Sequence, residues 1–279
     1  MRCLIMLIGL FSIINSGDRS GGSQGNISHH YLGRRSQPRQ WTPISHPIGT
    51  DERYSHATVY DPDDDLVFMI GGSAGLSGRR IPDCDGYDPT TDSWRVCAPM
   101  AEPVSWIDGA YWNGKIYIAG GYTSSGGASG MLKIYDIGSD SWSTGADLPI
   151  PTFAYVAVPL NGSIYIIGGY PASATSVQRY DVANNSWTNA TSLPMAFDMG
   201  SGVIIDNVIY LVGGYNRGSG QVYTDLVVGV VSSTDPDTIS WSLGDALPYA
   251  NFLNGTGTCY GQIYMVGGFM NGSSATNQV

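Results

Sequence analysis

The sequence predicts an all-β protein, and three observations carry that prediction. One phrase recurs five times: LVFMIGG (66–72), KIYIAGG (115–121), SIYIIGG (163–169), VIYLVGG (208–214) and QIYMVGG (262–268). Each copy is an apolar run closed by a glycine doublet, the pattern of a short buried strand. The composition agrees. Glycine supplies 38 of 279 residues, and Lys115, Lys133, Glu52 and Glu102 are the only lysines and glutamates. Residues that fill exposed helix faces are therefore scarce, while 18 tyrosines and 7 tryptophans favour strands. The third observation is the period. Successive doublets lie 49, 48, 45 and 54 residues apart, and strand repeats near 50 residues long build a β-propeller rather than one packed sheet.

Within a repeat each element has a physical reason. The apolar runs are continuous because the strand is buried on both faces. Asn113-Gly114 and Asn161-Gly162 supply the positive φ of two-residue hairpin turns, and DPDDD (61–65) replaces that turn in the first copy. The doublets Gly71-Gly72, Gly120-Gly121, Gly168-Gly169, Gly213-Gly214 and Gly267-Gly268 permit close approach of a neighbouring backbone. A second phrase follows the first three doublets: YDPTTDSW (87–94), YDIGSDSW (135–142) and YDVANNSW (180–187). Its tryptophans, Trp94, Trp142 and Trp187, and Trp241 in a degenerate fourth copy, are large enough to fill the wedge between radially packed sheets. Trp41 precedes the first copy.

With the proline phrases that follow (APM at 98–100, DLP at 147–149, SLP at 192–194, ALP at 246–248), these marks resemble the kelch repeat family over residues 41–279. The resemblance implies a kelch-type β-propeller of four-stranded antiparallel blades. The expected blades are 50–95, 101–143, 150–188, 195–242 and a partial blade at 249–279 completed by a strand from 41–44. The fifth doublet lacks its own Tyr-Asp and Trp strands, so four complete blades plus an incomplete one, a truncated product, is the expectation.

Residues 1–17 match a secretory signal peptide, with Arg2 ahead of a twelve-residue apolar run too short to span a bilayer. Residues 18–40 form a basic flexible linker. From residue 51 onward 8 basic residues face 22 acidic ones, which argues against nucleic-acid or anionic-lipid partners. Six Asn-x-Ser/Thr sequons (Asn26, Asn161, Asn184, Asn189, Asn254 and Asn271) fit a secreted glycoprotein. Cys84 and Cys97 lie symmetrically about the Thr90-Thr91 turn, which places them opposite each other and predicts a disulfide in an oxidising compartment. Cys3 would leave with the signal, and Cys259 has no obvious partner.

Spacing points to the functional face. From Trp94, Trp142, Trp187 and Trp241 the next doublet always follows 26 residues on, whereas the doublet-to-Trp interval varies over 23, 22, 19 and 28. The variation therefore sits in the loops 73–82, 122–131, 170–176 and 215–223, between strands two and three. Because blade strands alternate in direction, the blade-to-blade connections open on the same face. The expected ligand-binding residues are Arg79, Arg80, Trp106, Tyr122, Phe153, Tyr170, Phe197, Tyr215, Arg217 and Phe252. Aromatic faces would stack on a protein or glycan ligand, and the arginines would meet carboxylates.

Catalytic patterns are weak by comparison. GGSAG (71–75) has the spacing of a nucleophile elbow, but its glycines belong to the repeat and all four histidines (His29, His30, His46 and His56) precede Ser73. A copper site of the galactose oxidase type wants separated imidazoles, and no histidine follows His56. DPDDD lacks the ligand spacing of a calcium loop, and the glycines at 126–130 precede no helix that could cradle phosphate. The expectation is a binding protein without metal or cofactor. The rivals the resemblance allows are an intracellular substrate adaptor of ubiquitin-ligase type and a carbohydrate-active enzyme related to galactose oxidase or sialic acid epimerase.

Overall fold

Each apolar run forms the second strand of an antiparallel sheet, and its alternate residues enter two different cores. The computed structural model describes residues 53–270, apart from Leu76 and Ser173, together with residues 274–275. The expected signal, linker and closing strand at 41–44, with Trp41, Cys3, Asn26 and Asn271, lie outside the described residues. Among the described residues there is no helix.

Four sheets have four strands in sequential order, inner strand first. Blade I comprises Ala57–Asp61, Leu66–Ile70, Cys84–Asp88 and Ser93–Cys97. Blade II comprises Ala110–Trp112, Lys115–Ala119, Leu132–Asp136 and Ser141–Thr144. Blade III comprises Val156–Leu160, Ser163–Ile167, Val177–Asp181 and Ser186–Asn189. Blade IV comprises Ser201–Ile205, Val208–Val212, Asp225–Val231 and a longer outer strand, Ile239–Ala246. The fifth copy contributes the hairpin Gly255–Cys259 with Gln262–Val266. The inner strands pack side by side in chain order, so each blade touches the next.

Among the described residues three apolar cores lie between blades. Phe68 and Ile70 of blade I meet Ile116 and Ile118 of blade II. Tyr117 and Ala119, the alternate residues of that same strand, meet Ile164 and Ile166 of blade III. Tyr165 and Ile167 then meet Ile209 and Leu211 of blade IV. This double use explains the unbroken hydrophobicity of the runs.

The glycine doublets lock the blades. Both residues of each pair have positive φ, for example 66° and 99° at Gly168 and Gly169. The second glycine donates its N–H to the backbone carbonyl that enters the next blade: Gly72 to Val104 (2.8 Å), Gly121 to Thr152 (2.9 Å), Gly169 to Phe197 (2.9 Å) and Gly214 to Asn251 (2.8 Å). A Cβ on the first glycine would stand 2.9, 2.4, 2.1 and 2.4 Å from those same oxygens. Only glycine satisfies both the backbone angle and the approach.

The Tyr-Asp…Trp phrase makes the matching bond at the outer edge. Asp88, Asp136 and Asp181 cap the turn by accepting from Thr90, Ser139 and Asn184 N–H groups. The tyrosine hydroxyls of Tyr87, Tyr135 and Tyr180 donate to Asp92, Asp140 and Asn185. Asp140 and Asn185 also accept from the preceding blade's Ala98 and Ala146 N–H groups. The indoles of Trp142, Trp187 and Trp241 donate to Ala98, Ala146 and Thr191 carbonyls. In blade IV a glycine replaces the tyrosine, because the Trp241 ring lies directly on Gly229, its register partner.

Cys84 and Cys97 are opposed in register between the third and fourth strands of blade I, and both are buried, here as thiols. Asn254 is not an accessible sequon: its side chain is buried and Nδ2 donates to Ser201 Oγ at 3.0 Å. Asn161, Asn184 and Asn189 are exposed, and the first two lie in turns opposite the variable loops.

Gly168→Ala should destabilise the protein by about 3 kcal/mol, since a left-handed backbone and a carbonyl clash add. Gly127→Ala, where a Cβ meets nothing within 4 Å, should change stability by less than about 0.5 kcal/mol. Denaturant titration of the two variants distinguishes them.

Candidate ligand-binding face

Short strand pairs build the face at the end of the blades where the variable loops emerge. Arg53–Tyr54 pairs with Ser73–Ala74, Val104–Ser105 with Tyr122–Thr123, Thr152–Phe153 with Tyr170–Pro171, and Asn251–Phe252 with Phe269–Met270. In blade IV a single bridge joins Asp198 to Tyr215. Each pair joins a blade-entry segment to the loop after a glycine doublet, so both loop classes lie on one face, as expected.

A chain of backbone hydrogen bonds links the entry segments. Trp106 N–H donates to Ser55 C=O (2.8 Å), Ala154 to Trp106 (2.7 Å), Met199 to Ala154 (3.0 Å) and Leu253 to Met199 (2.6 Å). All five residues have φ between 54° and 58°, although none is glycine. No shared residue type marks these positions, which is why the sequence does not disclose them. Trp106 is thus held half-buried by its backbone.

The aromatic side chains form a ladder across blades. The Arg80 guanidinium lies 4.5 Å over the Tyr122 ring. Tyr122 packs on Phe153 at 5.0 Å, and Phe153 meets Tyr170 edge-on at 5.4 Å. Arg217 lies 4.6 Å over Tyr170. Beyond it Tyr215 stacks on Phe252 at 5.6 Å, and Phe252 packs on Phe269. Tyr170 and Arg217 are exposed, Tyr122, Phe153, Tyr215 and Phe252 are half-buried, and Arg79 is exposed beside Arg80.

Phe197 does not belong to this surface. It is 1 % exposed, stacked on Tyr223, and sits where Gly200 and Gly214 leave room for its ring. Two members of the face were missed. Phe269 follows the fifth doublet as Tyr122, Tyr170 and Tyr215 follow theirs, so the spacing could have found it. Asp198 carried no sequence signal. Its buried carboxylate accepts from Arg217 Nε at 3.2 Å. Burial pushes its pKa up to about 6 against the pull of Arg217.

Other ionised groups tie loops to blades. Arg53 pairs with Asp85 at 2.5 Å and donates to Met69 C=O. Lys133 pairs with Glu102 at 2.8 Å and donates to Gly120 C=O. His56 is buried, and desolvation with the Arg53 charge lowers its pKa to about 3, so it is neutral and packs against Gly72. Asp108, two residues after Trp106, accepts from Gly109 and Ala157 N–H groups, yet burial raises its pKa to about 6. Among the described residues no group of three His, Cys, Asp or Glu side chains is placed to hold a metal ion, and no helix is long and apolar enough to cross a membrane.

The repeated four-stranded blades, joined through glycine doublets and bearing their variable loops on one face, define a β-propeller repeat protein. The Kelch motif matches residues 53–101, 109–149 and 151–194, and the chain belongs to the kelch-repeat proteins. It is similar to Kelch repeat and BTB domain-containing protein 1 of Ectromelia virus (strain Moscow), 34% identical over 64 residues, 23% of this chain and 11% of that protein. It is also similar to human Kelch-like protein 35, 37% identical over 60 residues, 22% of this chain and 10% of that protein. The matched segments span about a tenth of these relatives' length. Among solved structures it resembles that of YjhT, with a TM-score of 0.70 and 16% identity over 85% of this chain and 83% of that one, which supports the fold.

The Asp108 carboxyl gives a pH test. Its folded pKa lies above the unfolded value of about 3.9, so the folded state holds the extra proton and stability falls as pH rises from about 4 to 6. Asp108→Asn removes this dependence but turns one acceptor into a donor facing a backbone N–H. The variant should be the less stable at pH 4, with the gap narrowing by up to about 2 kcal/mol at pH 6.5. Denaturant midpoints at the two pH values measure it.

Proposed function

We propose that this chain is a secreted recognition module that binds a protein or glycan ligand through the loop face. The observation that carries the reading is the ladder Arg80–Tyr122–Phe153–Tyr170–Arg217, assembled from loops of four blades and open to solvent at Tyr170 and Arg217. Kelch repeats typically bind proteins, which supports it. The Arg80 and Arg217 guanidiniums cover Tyr122 and Tyr170 at 4.5 and 4.6 Å; Arg80 Nη1 donates to Gly78 C=O and Arg217 Nε to Asp198, which leaves their other N–H groups for a ligand carboxylate. With those ring faces covered, acidic groups on a peptide suit the surface better than a sugar ring stacked face-on.

Replacing Tyr122, Tyr170 and Tyr215 together by alanine should reduce binding at least about 100-fold, since three aromatic contacts at an interface centre are lost. Arrays of acidic peptides and glycans, read with the folded wild-type and variant proteins, measure this. Equal binding by a folded triple variant removes the reading.

The secreted part of the proposal rests on the N-terminal pattern and the accessible sequons. Expressed with its N-terminus in a secreting eukaryotic cell, the protein should carry N-glycans at Asn161, Asn184 or Asn189 and none at Asn254. Peptide mass spectrometry shows which. A product retained in the cytosol without glycans ends the secreted reading.

A further inference from the structure

The loop face contains one buried ionisable group that neither packing nor the repeat explains. Asp198 has a side chain only 3 % exposed, on the segment that enters blade IV. Its Oδ2 accepts from Arg217 Nε, whereas Oδ1 is buried without a hydrogen-bond partner. Arg217 is the more exposed member, at 35 %, and its guanidinium covers Tyr170 of the neighbouring blade. No other hydrogen bond or ion pair of the Arg217 side chain is observed among the described residues, so this carboxylate and the Tyr170 ring hold it.

We propose that Asp198 is a proton-operated latch that sets the position of Arg217 on the loop face. As a carboxylate, Asp198 fixes the guanidinium over Tyr170 and completes the ladder. As a neutral acid it loses the charge that holds Arg217, and the guanidinium swings into solvent. The inference rests on the loop-face reading for its purpose, because it makes the cationic end of that surface depend on pH.

The surroundings suit such a device. From the loop after Gly214, Arg217 is the cation facing Asp198, with the phenols of Tyr215 and Tyr223 and the neutral amide of Asn216 beside it. Blade III contributes Tyr170 across the guanidinium and the uncharged Ala154, whose carbonyl accepts from Met199. The segment that enters the fifth-copy hairpin, bonded through Leu253 N–H to Met199 C=O, brings Asn251 and Phe252, both uncharged. No second carboxylate stands among these neighbours, so a single proton decides the state. Desolvation already lifts the Asp198 pKa to about 6, within reach of mild acidification.

The test needs no ligand, so its failure is separate from any failure of the recognition reading. The Nε–Hε signal of Arg217, assigned by comparison with Arg217→Lys, is followed by NMR from pH 8 to 5 in the free protein. One transition with a midpoint near pH 6 is expected in the wild type. In Asp198→Asn the signal should sit at its low-pH position throughout. A transition that persists in that variant, or no transition in the wild type, overturns the proposal. Should Asp198→Asn not fold, the Asp198 carboxyl carbon is titrated in Arg217→Gln. Loss of the cation should move its midpoint upward by at least half a pH unit, and an unmoved midpoint overturns the latch.

Discussion

The structure depends on one backbone hydrogen bond, repeated between blades. The second glycine of each doublet donates to the carbonyl at the next blade's entry, and the first glycine leaves room for that oxygen. A propeller blade buries little within itself. Its core is the space it shares with a neighbour, as the three clusters spanning blades I–II, II–III and III–IV show. A bond that fixes the distance and angle between blades therefore fixes the packing of both faces of every second strand. The Trp and Asp/Asn bonds at the outer edge close the same interface from the other side. Each interface is held at both ends, and the apolar side chains fill what lies between.

This arrangement explains how much of the fold was legible. Glycine at a positive φ against a carbonyl cannot be replaced, so Gly71 through Gly268 recur in every copy. Tyr87, Tyr135 and Tyr180 recur with their tryptophans because ring contact at 5.0–5.1 Å and the hydroxyl bond act together. Blade IV reaches the same geometry with Gly229 under Trp241, a different side-chain solution that hides the repeat from a pattern search. The positive-φ residues Ser55, Trp106, Ala154, Met199 and Leu253 are invisible for the opposite reason. There the backbone chain of hydrogen bonds imposes the angle, and it tolerates serine, tryptophan, alanine, methionine and leucine alike.

The candidate site was legible in outline and not in detail. Loop-length variation placed Arg80, Tyr122, Tyr170 and Arg217 on one face, strand alternation brought Phe153 to it, and the five form one ladder. Position relative to the repeat could not tell which side of an entry segment faces outward. Phe197 occupies nearly the same place in its copy as Phe153 does in the preceding one, yet it turns inward because Gly200 and Gly214 vacate the space beneath it. The next residue, Asp198, then carries the polar function of that segment. A one-residue shift exchanged a surface aromatic for a buried acid, which is the expected consequence of alternation along extended backbone.

The distribution of charge follows from the same scaffold. Turns between strands one and two and between strands three and four hold many of the aspartates, including Asp61, Asp88, Asp136 and Asp181, because short polar side chains cap those turns. The loops at the other end are tied by the strand pairs that join entry segment to doublet, and their caps come from neutral side chains such as Thr123, Ser129 and Asn216. They are free to carry Arg79, Arg80 and Arg217. The loop end of this acidic protein thereby carries Arg79, Arg80 and Arg217 among its aromatic side chains. The character of each end is thus set by the constraints of the fold as much as by the residues that line it.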